Sequence, residues 1–300
     1  MENQRLKNWV ITLIFLCATI VHQAQHPVTD QIVQRFQENQ DPFVSLEEFN
    51  KIVPENEKKQ AFTLFTCGYL LKECYKKKPG EDNEKKWRDD ALRYFELAKK
   101  ASPDVATKDN ISKAEKYLLG TLYNDALISA RSFQESNEKL AYDLFEKFED
   151  NIQRTQMDQP VAALKGQFYK KMAERHYELW QQADTALTHP KSCIELYKKV
   201  LLQDPTDCEA LHNTAVLYYN IGVNKIKNIA YQADMDALIG IQEEALSLFK
   251  QALPFAESTF QDCPKNTSQY KALMYIQKSL GNDAAFERLQ QEYQLLFPNE

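Results

Sequence analysis

The side chains that most often carry chemistry are scattered along this sequence. They include the five histidines His22, His26, His176, His189 and His212, and beyond the first two no pair stands at a spacing typical of metal ligands. The chain also lacks the H-E-x-x-H and C-x2-C sequences that mark many zinc sites. We therefore predict neither a metal site nor a cofactor. His176 is expected to be a partly buried or surface histidine rather than a general base.

Signatures of enzymes are missing as well. The seven glycines are isolated, so there is no dinucleotide-binding loop, no P-loop and no G-x-S-x-G nucleophile turn. The acidic pairs are sequence neighbours: Asp89-Asp90, Glu47-Glu48 and Glu243-Glu244. Neighbours on a helix point about 100° apart, which suits solvated faces better than a catalytic carboxylate pair. These observations predict a protein without catalytic activity.

A helical spacing recurs in the chain. Ala91, Phe95 and Ala98 are separated by steps of four and three, which places them on one helix face, and Pro103 follows where that helix must stop. The same register returns twice, at Cys193, Tyr197, Val200 and Pro205, and at Ala245, Phe249 and Ala252. We interpret these segments as the second helices of successive hairpins, with the aromatic residue of each wedged between neighbouring hairpins.

A second pattern joins a small residue to a tyrosine three positions later. It occurs at Gly120 and Tyr123, at Gly166 and Tyr169, and at Ala215 and Tyr218. We expect each small residue to let the partner helix approach closely, and each tyrosine to fill the space beside it.

The small number of helix-breaking residues and the moderate apolar content predict a chain that is nearly all helix. There are 7 glycines and 11 prolines among 300 residues, and 43% of residues are hydrophobic. A capping-box pattern at Ser45 and Glu48 predicts one helix start. The predicted helices cover 28–39, 45–53, 55–78, 87–101, 107–130, 137–148, 160–186, 191–203, 206–229, 236–260, 267–280 and 283–297.

These hairpins resemble the tetratricopeptide repeat (TPR) family. Leu119, Gly120 and Tyr123 are similar to the first half of its motif, and the Ala91–Pro103 pattern to the second. The resemblance implies an all-α fold, a right-handed superhelix of about five antiparallel hairpins over residues 57–300, with residues 25–56 as a helical cap. Most units lack the large opening aromatic residue and several first helices are too long, as in divergent repeat proteins of bacterial cell envelopes.

In TPR proteins the first helix of each hairpin lines a concave groove that binds a peptide or a partner helix. Carried over to this sequence, the resemblance assigns partner binding to Tyr117, Thr121, Asn124, His212, Tyr219, Asn220, Lys271 and Tyr275. Polar and aromatic groups suit peptide recognition. The alternative that Tyr219 and Tyr275 are core or ordinary surface residues stays open.

The first 24 residues predict a secretory signal peptide. Arg5 and Lys7 precede the apolar run 10–21, and Ala24 offers a cleavage site. An uncleaved anchor is the alternative. We expect an exported protein, periplasmic or secreted, that associates with membranes only through partners. The chain carries a net charge of −6, and removing the segment leaves about −7, which argues against nucleic-acid binding.

Five cysteines remain after that cleavage: Cys67, Cys74, Cys193, Cys208 and Cys263. An odd number leaves at least one free thiol. Cys67 and Cys74 lie about 10 Å apart along one helix, which is too far for a bridge. We predict buried or idle thiols in preference to a disulfide framework, because a chain of this length does not need cross-links.

The function predicted from these features is a non-catalytic adaptor that holds a protein or peptide partner in its groove. A glycan-binding accessory protein of the outer membrane, similar to the starch-binding family with such repeats, is the alternative. That alternative predicts a lipid-anchored cysteine and an insertion with stacking aromatics, and the chain has neither. An enzyme would need a catalytic domain outside the repeats, and no such stretch is left.

Overall fold

The computed structural model describes residues 26–77, 84–182, 188–229 and 234–298. In these ranges the only short element is a 3-10 turn at Glu57–Lys59, and no strand is present, which confirms an all-α fold. The twelve α-helices of the described part are α1 Pro27–Asn39, α2 Pro42–Ile52, α3 Ala61–Lys77, α4 Glu84–Lys100, α5 Val105–Ser132, α6 Glu138–Thr155, α7 Val161–Gln182, α8 Thr188–Gln203, α9 Cys208–Lys227, α10 Met235–Asp262, α11 Thr267–Ser279 and α12 Asp283–Leu296.

The chain divides into two compact units. The first comprises Met1–Asn124 and Glu146–Gln159, and the second comprises Asp125–Phe145 and Pro160–Glu300. The predicted signal peptide lies outside the described residues. Within the described ranges, no helix is both long and apolar enough to cross a membrane.

Helix α2 begins earlier than predicted. Asp41 is its N-cap and accepts hydrogen bonds from the backbone N–H groups of Phe43 and Val44, while Pro42 occupies the first turn, where its missing N–H is tolerated. The predicted capping box at Ser45 and Glu48 is therefore wrong, because Ser45 is fully buried inside the helix. The helix therefore starts at the Asp41-Pro42 pair and not at Ser45.

The α3–α4 hairpin is built on the predicted apolar face. Ala91, Phe95 and Ala98 are fully buried, and Pro103 is buried just beyond the end of α4. The close approach of the two helices occurs at Gly68, where an added Cβ atom would lie 2.7 Å from Cε1 of Phe95 and 3.2 Å from the carbonyl oxygen of Ala91. A side chain at Gly68 would therefore displace the buried aromatic ring.

The predicted role of Gly120 is wrong. Gly120 is exposed, and an added Cβ atom would meet nothing within 4 Å. Tyr123, which does follow the predicted pattern, is half-buried and places its ring centroid 5.1 Å from that of Phe148 on α6. The leucine-glycine-tyrosine pattern thus marks one packing contact on α5, but not a close approach at the glycine.

In the α7–α8 hairpin of the second unit, the small residue that faces the partner helix is Ala173 rather than Gly166. Ala173 and Cys193 are fully buried, and the Cys193 thiol donates a hydrogen bond of 3.3 Å to the carbonyl oxygen of Ala173. A Cβ atom on Gly166 would lie at an ordinary 3.9 Å from Cγ1 of Val200. Tyr197 is buried as predicted, whereas Pro205 is exposed in the turn after α8.

The α9–α10 hairpin repeats the glycine–aromatic contact of α3–α4. A Cβ atom on Gly222 would lie 2.6 Å from Cε1 of Phe249. Phe249 and Ala245 are buried, which confirms the predicted face of α10. Ala215 is also fully buried, but the close approach is two turns further along α9, at Gly222.

A disulfide joins Cys208 to Cys263, with their Cα atoms 5.7 Å apart. The prediction of idle thiols is therefore wrong for this pair and right for the buried free thiols of Cys67, Cys74 and Cys193. Cys208 opens α9 and Cys263 follows the end of α10, so the antiparallel hairpin itself brings the two sulfur atoms together.

The last hairpin, α11–α12, begins with a complete capping box. The Asn266 side chain accepts from the backbone N–H of Gln269, and the Gln269 side chain accepts from the backbone N–H of Asn266. Gly281 has φ of 74° in the turn between the helices, a conformation that favours glycine. The predicted helices 267–280 and 283–297 left residues 281–282 between them, and the turn lies at these residues.

Candidate binding cleft

The α7–α9 cleft lies between the first helices of two successive hairpins of the second unit. It has a volume of about 410 Å³. Its lining residues come from α7, α8 and α9: Glu174, Tyr177, Glu178, Tyr197, Asn213, Val216 and Leu217. α7 and α9 thus form two of its walls, and Tyr197 of α8 completes the lining.

The wall formed by α9 is held in place by a hydrogen bond to Tyr197. The Asn213 amide nitrogen lies 2.9 Å from the Tyr197 hydroxyl, which joins α9 to α8. Burial raises the pKa of Tyr197 above its usual value, so the phenol stays protonated at physiological pH. Tyr197 therefore offers the cleft a neutral hydroxyl and a fixed aromatic edge, not a nucleophile.

The wall formed by α7 combines aromatic and acidic side chains. Tyr177 is 40% exposed and meets Trp180 edge to face, with ring centroids 5.8 Å apart. Glu174 is paired with Lys171 at 2.6 Å, and Glu178 with Arg175 at 2.9 Å. Because both carboxylates have a cationic partner on their own helix, the cleft is polar without a strong charge of either sign.

The predicted groove residues of the second unit fall around this cleft rather than in it. His212, one residue before Asn213, places its Nε2 atom 3.0 Å from the Ser268 hydroxyl and so connects α9 with α11. Burial lowers the pKa of His212, which favours the neutral ring. Tyr219 packs with its ring centroid 5.5 Å from that of Phe249.

The remaining predicted residues of this unit are at or near the surface. Asn220 is half-buried, Lys271 is exposed, and Tyr275 is 48% exposed. The Lys271 amino group lies 5.5 Å from the ring centroid of Tyr293 on α12. The structure leaves their assignment to partner binding a prediction.

In the first unit, Tyr117 stands beside the first helix of the preceding hairpin. Its ring is 42% exposed, with the amino groups of Lys72 and Lys76 at 6.0 and 5.8 Å from the ring centroid. Thr121 donates its hydroxyl to the carbonyl oxygen of Leu118 on its own helix, at 2.7 Å. Asn124, at the edge of this unit, is exposed.

Another concavity, of about 280 Å³, lies in the first unit between α4 and α6 and is lined largely by charged side chains. Its charges pair with one another: Asp89 with Lys147, Glu96 with Arg154, and Asp90 with Arg93. The first two pairs join α4 to α6 and the third lies within α4, and together they leave little unmatched charge for a ligand. We therefore regard the α7–α9 cleft as the better candidate site.

Sequence reasoning missed Tyr177 and Asn213. Asn213 stands seven residues before Asn220, two turns along the same face of α9, so a search for polar residues at that spacing would have found it. Tyr177 gave no signal of this kind, because the pattern on α7 was anchored on Gly166 rather than on Ala173. A correct register would have placed Tyr177 one turn after the small position.

The described residues gather no three histidine, cysteine, aspartate or glutamate side chains that could hold a metal ion. No protein-family model matches this chain, and no curated protein matches it significantly. What the chain does must therefore be inferred from its own geometry, in which the α7–α9 cleft combines an exposed aromatic ring, an amide and apolar side chains.

Proposed function

We propose that this chain is a non-catalytic, exported adaptor that holds a protein or peptide partner in the α7–α9 cleft. The observation that carries the proposal is the composition of that cleft: exposed Tyr177 on α7, and on α9 the amide of Asn213 with the apolar side chains of Val216 and Leu217. Aromatic anchors beside hydrogen-bonding groups are typical of protein-binding surfaces.

The proposal includes a TPR-type arrangement, in which the hairpins continue as a right-handed superhelix. Two contacts support it: a glycine on a first helix meets an aromatic residue on the second at Gly68–Phe95, and again at Gly222–Phe249. In both hairpins the glycine stands 27 positions before the aromatic residue. The recurrence of one contact at one spacing is what a repeated unit produces.

Export is supported by the Cys208–Cys263 disulfide. Disulfides persist outside the reducing cytoplasm and are rare within it. Together with the predicted signal peptide, this bond favours a periplasmic or secreted protein that meets its partner in the cell envelope.

The test is quantitative affinity capture from the native envelope fraction, with the mature chain as bait. The variant Tyr177→Ala with Asn213→Ala removes the aromatic anchor and the amide of the cleft. Capture of the partner should fall at least about tenfold, the loss expected when contacts contributing about 1.4 kcal/mol of binding free energy are removed. Leu202→Ala is the control, because Leu202 is 80% exposed outside the cleft.

A second arm, Tyr219→Ala with Asn220→Ala, tests the groove predicted from the sequence. Partner loss in this arm alone would move the binding surface from the α7–α9 cleft to the part of α9 around Tyr219 and Asn220. An identical set of captured proteins for wild type and both double variants would contradict an adaptor that works through either surface.

A further inference from the structure

Two buried histidines face each other in the second unit. His176 on α7 and His189 in the first turn of α8 are 4% and 5% exposed, and their Nδ1 atoms lie 3.2 Å apart. The sequence did not indicate this pair, since thirteen residues separate the two histidines and no motif links them.

Each histidine meets a carboxylate through its other ring nitrogen. His176 Nε2 lies 3.2 Å from Glu138 at the start of α6, and His189 Nε2 lies 3.1 Å from Glu135 in the preceding turn. The four side chains therefore form a row, Glu138–His176–His189–Glu135, which ties the turn before α6 and the start of α6 to α7 and to the first turn of α8.

The turn before α6 also packs against this row through Phe133. The ring of Phe133 is fully buried and meets His176 edge to face, with centroids 5.0 Å apart. Arg175 donates from its Nε atom to the carbonyl oxygen of Phe133 at 2.9 Å and pairs its Nη1 with Glu178. The guanidinium of Arg175 is thus engaged by Phe133 and Glu178.

The number of protons in the row follows from hydrogen-bond chemistry. A neutral imidazole donates from one nitrogen and accepts at the other, whereas an imidazolium donates from both. One proton between the two Nδ1 atoms makes a hydrogen bond. If both rings become imidazolium, two N–H groups point at each other across 3.2 Å, and the contact turns from attractive to repulsive.

We propose that this row is an acid-sensitive latch, in which the second proton taken up by the His176–His189 pair separates the two rings and releases residues 133–138 from α7 and from the first turn of α8. The pair takes its first proton with the closed geometry intact, since Glu135 and Glu138 then accept from the two Nε2 atoms. The latch is independent of what occupies the α7–α9 cleft, although Tyr177 of that cleft directly follows His176.

The charges acting on His176 agree in sign with this proposal. Burial lowers the pKa of His176, the carboxylates of Glu138 and Glu135 raise it, and the charge of His189 lowers it; the net shift is downward. A histidine whose pKa is lower in the folded than in the unfolded protein stabilises the fold above its ordinary pKa, about 6.5. That contribution is lost as the pH falls through the lower, folded-state value.

The experiment is hydrogen exchange of the full chain, read by mass spectrometry between pH 7.5 and pH 4.5 and corrected for intrinsic rates. In the wild type, peptides covering 133–142 and 172–180 should lose protection as the pH falls. If opening of the latch is coupled to the uptake of one proton, the protection factor should fall by up to about tenfold per pH unit. Protection in α3 and α4 of the first unit, which contain no histidine, should not change in this way.

The matched variant is His189→Gln. The amide oxygen of glutamine can accept a hydrogen bond from a protonated His176, so this variant should keep both peptides protected at low pH. His212→Gln replaces a histidine outside the row and should respond to acid as the wild type does. Equal acid responses in the wild type and in His189→Gln would overturn the latch.

A measurement that needs no variant guards against effects of mutation on folding. In a ¹⁵N-histidine NMR titration of the wild type, the pair should lose its protons in two separate steps, one of them below the ordinary histidine range. A single step near the ordinary value for both rings would overturn the proposal. So would protection of the same peptides by Zn²⁺ at pH 7.5 in the wild type and not in His189→Gln, because the pair would then be a metal site.

Discussion

The Phe95 ring fills the space beside Gly68, so that a Cβ atom on Gly68 would lie 2.7 Å from its Cε1 atom. The ring is fully buried and the Ala91 carbonyl oxygen stands on the same side, at 3.2 Å from that position. A larger residue at Gly68 cannot be accommodated without moving α4 away from α3. The same relationship between Gly222 and Phe249 makes this contact a repeated element of the fold.

Gly68→Ala should therefore destabilise the protein although alanine is the better helix former. Overpacking costs about 1–3 kcal/mol, and the gain in helix propensity returns at most about 1 kcal/mol. We expect a net loss of about 1–2 kcal/mol in urea unfolding. Gly120→Ala is the control: its Cβ would be exposed and free of contacts, so it should gain stability. A stabilised Gly68→Ala protein would contradict the close approach.

Phe95→Ala should cost about 3–5 kcal/mol, because it leaves a cavity where a fully buried ring joins α3 and α4. Leu97→Ala on the same helix removes a side chain that is 40% exposed and should change the unfolding free energy by less than about 1 kcal/mol. Chemical denaturation followed by circular dichroism measures both. A loss of unfolding free energy below about 1 kcal/mol for Phe95→Ala would contradict the placement of Phe95 in the core.

Reducing the Cys208–Cys263 bond should destabilise the second unit by about 4 kcal/mol. The bond closes a loop with a sequence separation of 55, and a loop of this length restricts the unfolded chain by about that amount. Thermal unfolding with and without a phosphine reductant measures the change. The double variant Cys208→Ser with Cys263→Ser should start from the lower stability and show no response to the reductant.

Lys99→Met should destabilise the first unit at neutral pH more than at acidic pH. Lys99 Nζ lies 2.9 Å from an oxygen of the buried Glu115 and also donates to the carbonyl oxygen of Thr155. Removing this partner leaves an unpaired buried carboxylate, for which we expect a loss of about 2 kcal/mol after allowing for the partial exposure of Lys99.

The pH dependence of that loss has a definite sign. Burial raises the pKa of Glu115, and Lys99 opposes the shift, so the variant raises the pKa further. As the pH falls through this raised value, Glu115 takes up a proton and the loss shrinks. Lys113→Met breaks an exposed pair with Asp109 and should cost less than about 1 kcal/mol at any pH. A pH-independent deficit in Lys99→Met would contradict an unpaired carboxylate as its cause.

Much of the helical pattern could be predicted because it depends on neighbours along the chain. The steps of four and three at Ala91, Phe95 and Ala98 identified a buried face, and the turn at Gly281 was readable from a glycine between two helical segments. The start of α2 was misplaced where two local signals competed, Asp41-Pro42 and Ser45.

The sequence by itself determined that this chain forms helical hairpins and which face of most second helices is buried, because helix periodicity links residues only three or four positions apart. Tertiary structure alone decided that Gly68 and Gly222, not Gly120 and Gly166, receive the facing aromatic residue, that Cys208 meets Cys263, and that His176 meets His189. Each of these contacts joins different helices, or a helix and the segment after another, and the rotation and offset of one helix against its neighbour set them. Those two quantities depend on the whole packed interface rather than on any local spacing.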